Sequence, residues 1–340
     1  MINGKEAMVE EFVVHRIGTG GMPSILSDYS AVLQGPEEQE FLRKLFLKPF
    51  AGVVQTHAFA TREDAGVNHL QELCAKVEQG KELVAVSRAM AKQLIEVAQE
   101  HEVRTGDLFV VRFHGVELGG AHVDAVGLYK FDDKEVFLES RAEADSMSMQ
   151  LKRGLGGRKP DQAVLVLFTP EEHTLLVIDD DPRSGFWQQV FIGLRAKQDH
   201  VNSTRNVLEM TRTFITEQLP QDYEIPKADQ IDLLNRSVQY FKENTAFDRT
   251  SFAKEVFQSD EVIGSFERFG DRFKEERAVD LEDRFEISAD AVKKQARVFK
   301  SVLKLDKNFH IYIHGDREKI ERGVDDSGRK YYKIYYDQEL

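Results

Sequence analysis

The sequence predicts an α+β protein, with an N-terminal mixed α/β domain of antiparallel strands and a mainly helical C-terminal domain that ends in a β-hairpin. Three observations predict this class. After an opening strand, apolar residues follow helical spacing up to residue 101, alternating strand-like segments follow up to residue 181, and helical spacing returns after residue 185. Because 340 residues are long for one core, we expect two domains, 1–182 and 183–340.

The N-terminal domain is predicted to begin with a strand and continue with helices. Residues 11–17, EFVVHRI, form the opening strand and are closed by a Gly-rich turn. Helical spacing then predicts helices from Pro36 to Lys48, over 68–79 and over 83–101. The last of these is amphipathic, since its apolar residues recur every three or four positions.

The middle of the chain is predicted to form antiparallel strands. GDLFVVRFHG, AHVDAVGLYKF and KEVFLES alternate in the manner of half-buried strands, and residues 162–181 predict a hairpin with its turn at 169–172. Between them, residues 151–160, LKRGLGGRKP, predict a loop. Four cations lie among its glycines: Lys152, Arg153, Arg158 and Lys159.

The C-terminal domain is predicted to be helical up to residue 304. In its last helix, residues 288–304, Ser288 is a suitable N-cap and Asp290 adds negative charge to the first turn. At about 100° per residue, one stripe of this helix carries four cations. They are Lys293, Arg297, Lys300 and Lys304. Residues 309–314 and 331–336 are then predicted to pair as a terminal hairpin.

Charge is distributed unevenly along the chain. The net charge of −13 argues against indiscriminate polyanion binding by the whole surface. Residues 291–333 nevertheless carry twelve Lys and Arg against six Asp and Glu, so the remainder carries −19. A nucleic acid would therefore be directed to the C-terminal end, although a solvated basic face is the ordinary alternative.

Composition and motifs favour a cytoplasmic protein without catalytic function. The single cysteine, Cys74, excludes an internal disulfide framework and a multi-cysteine zinc site. No signal peptide is visible, and the apolar runs are too short to span a bilayer. His114 and His122 could face each other across a hairpin, but lone strand histidines are more often structural. We expect no metal and no cofactor.

Two segments keep an enzymatic alternative open. Asp179, Asp180 and Asp181 follow an apolar strand, where hard cations often bind, but a strand-ending turn explains them equally well. The glycines at 154–157 lack the order of a Walker motif, yet their backbone amides and nearby cations could hold a phosphate of a DNA backbone.

Nucleic-acid binding has more support in the sequence than an enzymatic function. Cations of the basic helix and of the terminal strands can contact successive phosphates, and tyrosines lie among them. Stacking of single-stranded bases on these tyrosines and their packing on a helix are both open. We predict the following DNA-binding residues: Lys293, Arg297, Lys300, Lys304, Lys330, Lys333, Lys152, Arg153, Arg158 and Lys159.

Several spaced segments resemble the 37-kDa bacterial nucleoid-associated proteins. They are, in chain order, FVVHRIG, ILSD, FLRKLFLKPF, LVIDDD, FWQQVFIG, NSTRNVLEMTRTFI, FEISADAVKKQARVFKSVLKLDKNFHIYIHGD and GRKYYKIYY. The resemblance covers most of the chain. It implies a cytoplasmic protein that associates with the nucleoid and with DNA, and it supplies neither a catalytic motif nor a residue-level DNA site.

We therefore expect a non-enzymatic nucleoid-associated protein that binds DNA, double-stranded in our interpretation, through backbone phosphates and with little sequence specificity. We also expect a homo-oligomer and no membrane partner. The alternative is a protein–protein interaction scaffold of the nucleoid, for which the acidic body and the aromatic segment from Phe186 to Phe273 are the motivation.

Overall fold

The structure, a computed structural model, describes residues 2–60, 68–277, 279–299, 302–313 and 317–338. The chain divides into two compact units, Met1–Lys197 and Gln198–Leu340. The α+β prediction is confirmed, because the first unit is rich in sheet and the second is mainly helical and ends in a hairpin. Residues 183–197, which the sequence assigned to the second domain, lie in the first unit.

The first unit is built around one antiparallel sheet. Its strands and those of a separate ribbon are β1 Ile2–Asn3, β2 Met8–Ile17, β3 Ile25–Leu26, β4 His57–Phe59, β5 Gly106–Leu118, β6 Ala121–Phe131, β7 Glu135–Glu143, β8 Ser146–Gly154, β9 Gln162–Leu167, β10 Thr174–Asp179 and β11 Leu194–Ala196. The sheet order is β11-β4-β10-β9-β6-β5-β2-β3, with β1 beside β5. β7 and β8 pair with each other outside this sheet.

Helices cover both faces of the sheet. They are α1 Pro36–Phe46, a 3-10 turn at Lys48–Gly52, α2 His69–Glu78, α3 Leu83–Glu100 and a π-helical segment at Phe186–Ile192. Because side chains alternate along a strand, Val126 and Leu128 of β6 face the core with Trp187, whereas Ala125 and Tyr129 face the opposite core. Both faces are therefore buried, which explains the near-continuous apolar runs of the central strands.

The predicted loop at 151–160 is partly wrong. Lys152 and Arg153 lie in β8, because the ladder with β7 runs from Glu143↔Ser146 to Glu135↔Gly154. The loop therefore starts after Gly154. Cross-strand pairing extended further than the glycines suggested, since glycine weakens a strand but does not forbid it.

The second unit is a helical body with short strand pairs. Its helices are α4 His200–Thr213, a π-helical continuation at Phe214–Gln218, α5 Leu219–Asp222, α6 Lys227–Glu243, α7 Arg249–Phe257, α8 Asp260–Arg277 and α9 Ala289–Gln295, with 3-10 turns at Ala296–Val298 and Arg317–Lys319. Its strands are β12 Ala246–Asp248, β13 Arg284–Glu286, β14 Val302–Leu305, β15 Phe309–Tyr312, β16 Ile320–Val324 and β17 Lys330–Ile334.

Phenylalanines form the core of this helical body. Phe214 contacts Phe257 and Phe266 with ring centroids 5.4 and 5.3 Å apart. Phe241, Phe247 and Phe252 are buried beside them. Such tilted and edge-on aromatic contacts add to the area that they bury. The aromatic spacing in the sequence thus marks packing positions.

The prediction of a single basic helix over residues 288–304 is wrong. Ser288 caps α9 by accepting from the Ala291 N–H at 3.4 Å, as predicted, but α9 ends at Gln295 and a 3-10 turn follows. β14 then pairs with β15. Leu303 fits a helical stripe with Phe299, but it also alternates with Leu305 in a strand, and burial of Leu303 in the tertiary fold selects the strand.

The terminal hairpin has different partners from those predicted. β15 pairs with β14, with Leu305↔Phe309 and Val302↔Tyr312 in register. The chain ends in a second hairpin, in which β16 pairs with β17 from Ile320↔Ile334 to Val324↔Lys330. His314, which the sequence placed in the first of these strands, lies outside the described residues.

Candidate nucleic-acid interface

A groove of about 620 Å³ lies in the second unit between α6, the turn after α9 and the β14–β15 hairpin. Its lining residues are Asn235, Val238, Gln239, Lys242, Ala296, Phe299, Val302, Lys304, His310 and Tyr312. The four residues from α6 follow the spacing of one helical face. Lys304 is opposite His310 and Val302 is opposite Tyr312, so these four lie on one face of the hairpin.

The groove is cationic on an apolar base. Phe299 is buried, whereas Lys242, Lys304 and His310 are exposed. No Asp or Glu is among the described residues that line it. Tyr312 is 66% exposed at the same site. The groove therefore offers positive charge, hydrogen-bond donors and one aromatic face, which is the chemistry that a phosphate backbone and its bases require.

Two of the predicted DNA-binding cations lie beside the groove. Lys293 is on α9, and Arg297 is in the 3-10 turn between the lining residues Ala296 and Phe299. Both are exposed, and neither side chain forms an ion pair with another described residue. A residue spacing of four places them on the same side of the helical path.

The other two cations of the predicted stripe are Lys304 and Lys300. Lys304 lies on β14, where it faces the groove and has no ion-pair partner among the described residues. Lys300 lies outside the described residues. The structure therefore brings Lys293, Arg297 and Lys304 to one region, but on three consecutive elements and not on one helix.

Lys330 and Lys333 lie on opposite faces of the last hairpin, since they are three residues apart on β17. Lys330 is exposed and has no ion-pair partner among the described residues. Lys333 lies 3.7 Å from Glu321 and its Nζ is 4.7 Å from the Tyr335 ring centroid. A hydrogen bond with Tyr335, aided by nearby negative charge, raises the pKa of Lys333.

The N-terminal cations are mostly paired with carboxylates. Lys159 lies 2.6 Å from Asp180, and Lys152 lies 3.7 Å from Glu139. Arg158 pairs with Asp161 and also lies 3.7 Å from Asp133. Arg153 is exposed on β8 opposite Val136. Most of the positive charge here is thus neutralised locally.

The glycine loop after β8 has its own anion. The N–H groups of Gly156 and Gly157 both donate to Glu135 Oε2 at 2.9 Å. These backbone bonds, that of Gly157 foremost, lower the pKa of Glu135. The amides that the sequence offered to a phosphate are therefore used within the chain.

The acidic segment after β10 is also used within the fold. Asp179 accepts from the Asp181 N–H at 3.1 Å and from Gln188 Nε2 at 3.0 Å, and burial raises its pKa. Asp180 pairs with Lys159. Within the described residues, no group of three or more His, Cys, Asp or Glu is arranged to hold a metal ion.

The cysteine and the two strand histidines, Cys74, His114 and His122, do not form a catalytic arrangement with one another. Cys74 is buried, and burial raises the pKa of its thiol far above the usual range. His122 is opposite Glu117 in the ladder and not opposite His114, although both histidines line one cavity of about 620 Å³. His114 Nδ1 lies 2.8 Å from Asp124.

Sequence reasoning missed Lys242, His310 and Tyr312. The alternation of Val302 with Lys304, and of His310 with Tyr312, around a polar turn is the signal that predicts the hairpin. No local pattern places Lys242 beside it, because α6 is about sixty residues earlier in the chain.

One family model, described as NA37, nucleoid-associated protein YejK, matches residues 13–339. The match spans nearly the whole chain, so the resemblance predicted from the spaced segments is confirmed. No curated protein and no solved structure shows a significant match. Within the described part of the chain, no helix has the length and apolar content that a membrane crossing needs.

Proposed function

Since the chain belongs to the NA37 family of nucleoid-associated proteins, we propose that it binds DNA through backbone phosphates, without catalysis and with little sequence specificity. The proposed surface is the groove of the second unit with its flanking cations, Lys242, Lys293, Arg297 and Lys304. One observation carries the proposal. These four side chains are exposed and form no ion pair with any described carboxylate, so their charge is available to a ligand.

Charge elsewhere favours binding at this surface. Outside residues 291–333 the chain carries a net charge of −19, which repels a polyanion and orients it towards the positive region. Contacts to phosphates position a protein on DNA but carry no sequence information. A cationic surface without a base-reading motif therefore supports non-specific binding.

Double-stranded DNA is the proposed ligand. Proteins that bind single strands stack successive bases on several aromatic side chains along a basic channel. Here, one exposed aromatic residue, Tyr312, is among the described residues that line the groove. We place the protein in the cytoplasm on the nucleoid, as a homo-oligomer whose copies multiply weak phosphate contacts.

Lys330, Lys333 and the N-terminal cations remain predicted contacts of lower weight. Lys330 can extend the surface along the last hairpin. Lys333, Lys152, Arg158 and Lys159 must each break or share a contact with a carboxylate before they bind a phosphate. Arg153 forms no ion pair with a described carboxylate, but its ribbon, residues 135–154, carries four carboxylates.

The test is a fluorescence-anisotropy titration of a DNA duplex at several salt concentrations. One variant carries Lys293→Ala, Arg297→Ala and Lys304→Ala. Three phosphate contacts contribute about −2.7 to the slope of log K against log[salt], so the variant should lose that much of the slope. Single-stranded DNA of the same length, titrated in parallel, should bind more weakly than the duplex.

A matched control removes the same charge from paired cations, with Lys44→Ala, Lys152→Ala and Lys159→Ala. Each of these lysines has a carboxylate within 4 Å, Lys44 through Glu40. The control should lose much less of the slope than the groove variant, because its lysines already contact carboxylates. Equal slopes in both variants would remove the groove surface from the mechanism.

A protein–protein scaffold of the nucleoid remains the alternative. Part of its motivation is weakened, because Phe214, Phe252 and Phe266 of the aromatic segment are buried and cannot contact a partner. Pull-down from nuclease-treated lysate separates the two functions, since a scaffold keeps its partners after the DNA is digested.

A further inference from the structure

The β7–β8 ribbon has an apolar face exposed to solvent. It is inserted between β6 and β9, which pair with each other in the main sheet. On one face, register partners bring together Leu138 with Leu151 and place Val136, Met149 and Met147 along the same side. These five side chains are 53–70% exposed.

The opposite face of the ribbon is mainly polar. Glu139 is opposite Gln150, Arg141 is opposite Ser148, and Phe137 is opposite Lys152. A two-stranded ribbon alone is only marginally stable in water, and an exposed apolar patch on a soluble protein usually marks an interaction site. We therefore expect the apolar face, and not the polar face, to be buried against a binding partner.

We propose that this face packs against the same face of a second copy of the chain, in an antiparallel two-fold arrangement. The proposal deepens the proposed homo-oligomer by naming its interface, and it does not depend on the DNA site. A two-fold interface pairs identical patches, which suits a face with an apolar side chain in each of its cross-strand pairs, those of Arg153 and Ser140 included.

The area of the face supports a dimer. Burial of one such side chain removes on the order of 100 Å² of apolar surface, so five at these exposures supply roughly 300 Å² per copy. A standard interface buries about 800 Å² per partner, a little over half of it apolar. The five side chains thus supply most of an apolar centre, with the ribbon edges as a polar rim.

Charge favours the antiparallel arrangement over the parallel one. Arg153, which is opposite Val136 on the apolar face, lies near the base of the ribbon, whereas Asp145 lies in the turn at its tip. Antiparallel packing brings the basic base of one copy to the acidic tip of the other. The ribbon strands and their turn, residues 135–154, carry four carboxylates and three cations, a balance that does not suit insertion into DNA.

Sedimentation velocity of the full chain over a concentration series, without DNA, tests the proposal. The wild type should show a concentration-dependent dimer. Met149→Asp places a carboxylate in the apolar centre twice per dimer and should raise the dissociation constant about 100-fold or more. Gln150→Asp adds the same charge to the neighbouring position on the polar face and should change the constant less than about threefold.

Two further measurements make the outcome decisive. Circular dichroism must show that Met149→Asp folds like the wild type, and Leu138→Asp serves as a second variant if it does not. A wild type that stays monomeric, or equal effects of Met149→Asp and Gln150→Asp, overturns the proposal. Binding of a monomeric wild type to neutral phosphatidylcholine vesicles would likewise overturn it. Because no DNA is present, failure here leaves the DNA proposal intact.

Discussion

The predicted DNA-binding cations of the two units differ in whether they form ion pairs. In the first unit, Lys159 and Arg158 are held by carboxylates of the same unit, whereas Arg297 and Lys304 of the second unit have no such partner among the described residues. A paired cation has already exchanged water for a protein anion, so a phosphate must compete for it. An unpaired cation releases condensed counterions when it binds DNA. The number of lysines and arginines is thus a poorer guide to a DNA surface than their pairing.

The largest effect that we expect concerns Lys130, which shows how the first unit uses charge for stability. Its side chain is buried and pairs with Asp132, whose carboxyl has a pKa raised by burial. Lys130→Met leaves that carboxyl without its cation and should lower the free energy of unfolding by about 3–5 kcal/mol. Urea unfolding measures this. Lys134→Met, in a partly exposed pair with Asp107, is the control and should cost about 1 kcal/mol or less.

The next effect is a pH dependence located in the first unit. His15 is buried, its Nδ1 accepts from the Ser27 N–H at 3.1 Å, and burial, aided by Arg88, lowers its pKa to about 4. Between pH 6.5 and about 4 the unfolded chain binds a proton that the folded chain does not, so stability falls as pH falls. The loss is about 1.4 kcal/mol per pH unit, or about 2 kcal/mol at pH 5.

Urea unfolding at pH 7 and pH 5 checks this dependence. His15→Gln should be less stable than the wild type at pH 7 but should lose less stability between the two pH values. Equal losses in both proteins would show that other groups govern the acid sensitivity.

A third prediction converts an unpaired cation into a paired one. His310 is opposite Lys304 on the hairpin, so His310→Glu should form a cross-strand ion pair. The pair should leave the hairpin as stable as before or slightly more stable, yet lower the DNA affinity by about tenfold, because it neutralises Lys304 and adds a carboxylate to the groove. Anisotropy should therefore show weaker DNA binding, while the thermal unfolding temperature stays the same or rises slightly. An unchanged affinity would show that the pairing of Lys304 with a carboxylate does not control DNA binding.

The smallest expected effect concerns a paired and an unpaired lysine on one strand of the last hairpin. Lys330 is unpaired among the described residues, whereas Lys333 contacts Glu321 and Tyr335. Lys330→Ala should reduce the salt slope of DNA binding by about 0.9, the value of one phosphate contact, and Lys333→Ala should reduce it less. The two variants have the same charge and lie on the same strand. A larger loss of salt slope for Lys333→Ala than for Lys330→Ala would contradict this prediction.

Much of the fold could be predicted from the sequence because local periodicity is sufficient for long elements. α3 and the phenylalanine core are examples, since apolar spacing fixes which side chains turn inward. The segment that contains Leu303 could not be assigned in this way. Its apolar residues fit both a helical and a strand period, and only the tertiary partners of Leu303 and Leu305 decide between them.

The candidate site was predicted less completely than the fold, because it depends on contacts between residues that are far apart in the chain. Lys304 and Arg297 were predicted from charge and spacing alone. The pairing of Lys159 with Asp180 joins residues 21 positions apart, and the groove joins α6 to a hairpin much later in the chain. Neither relation has a local signature, so the sequence indicated neither the ion pairs of the N-terminal cations nor the position of Lys242 beside the hairpin.

The contacts of Glu135 have a mechanical consequence. Its register partner is Gly154 at the root of the ribbon, and its carboxylate also accepts from Gly156 and Gly157 beyond that root. The Glu135 side chain therefore links the start of β7 to the segment after β8, through which the chain returns to the sheet. A root held in this way restricts swinging of the ribbon, so its apolar face is presented in a narrow range of directions before any partner arrives. Less orientational freedom then remains to be lost when two such ribbons meet.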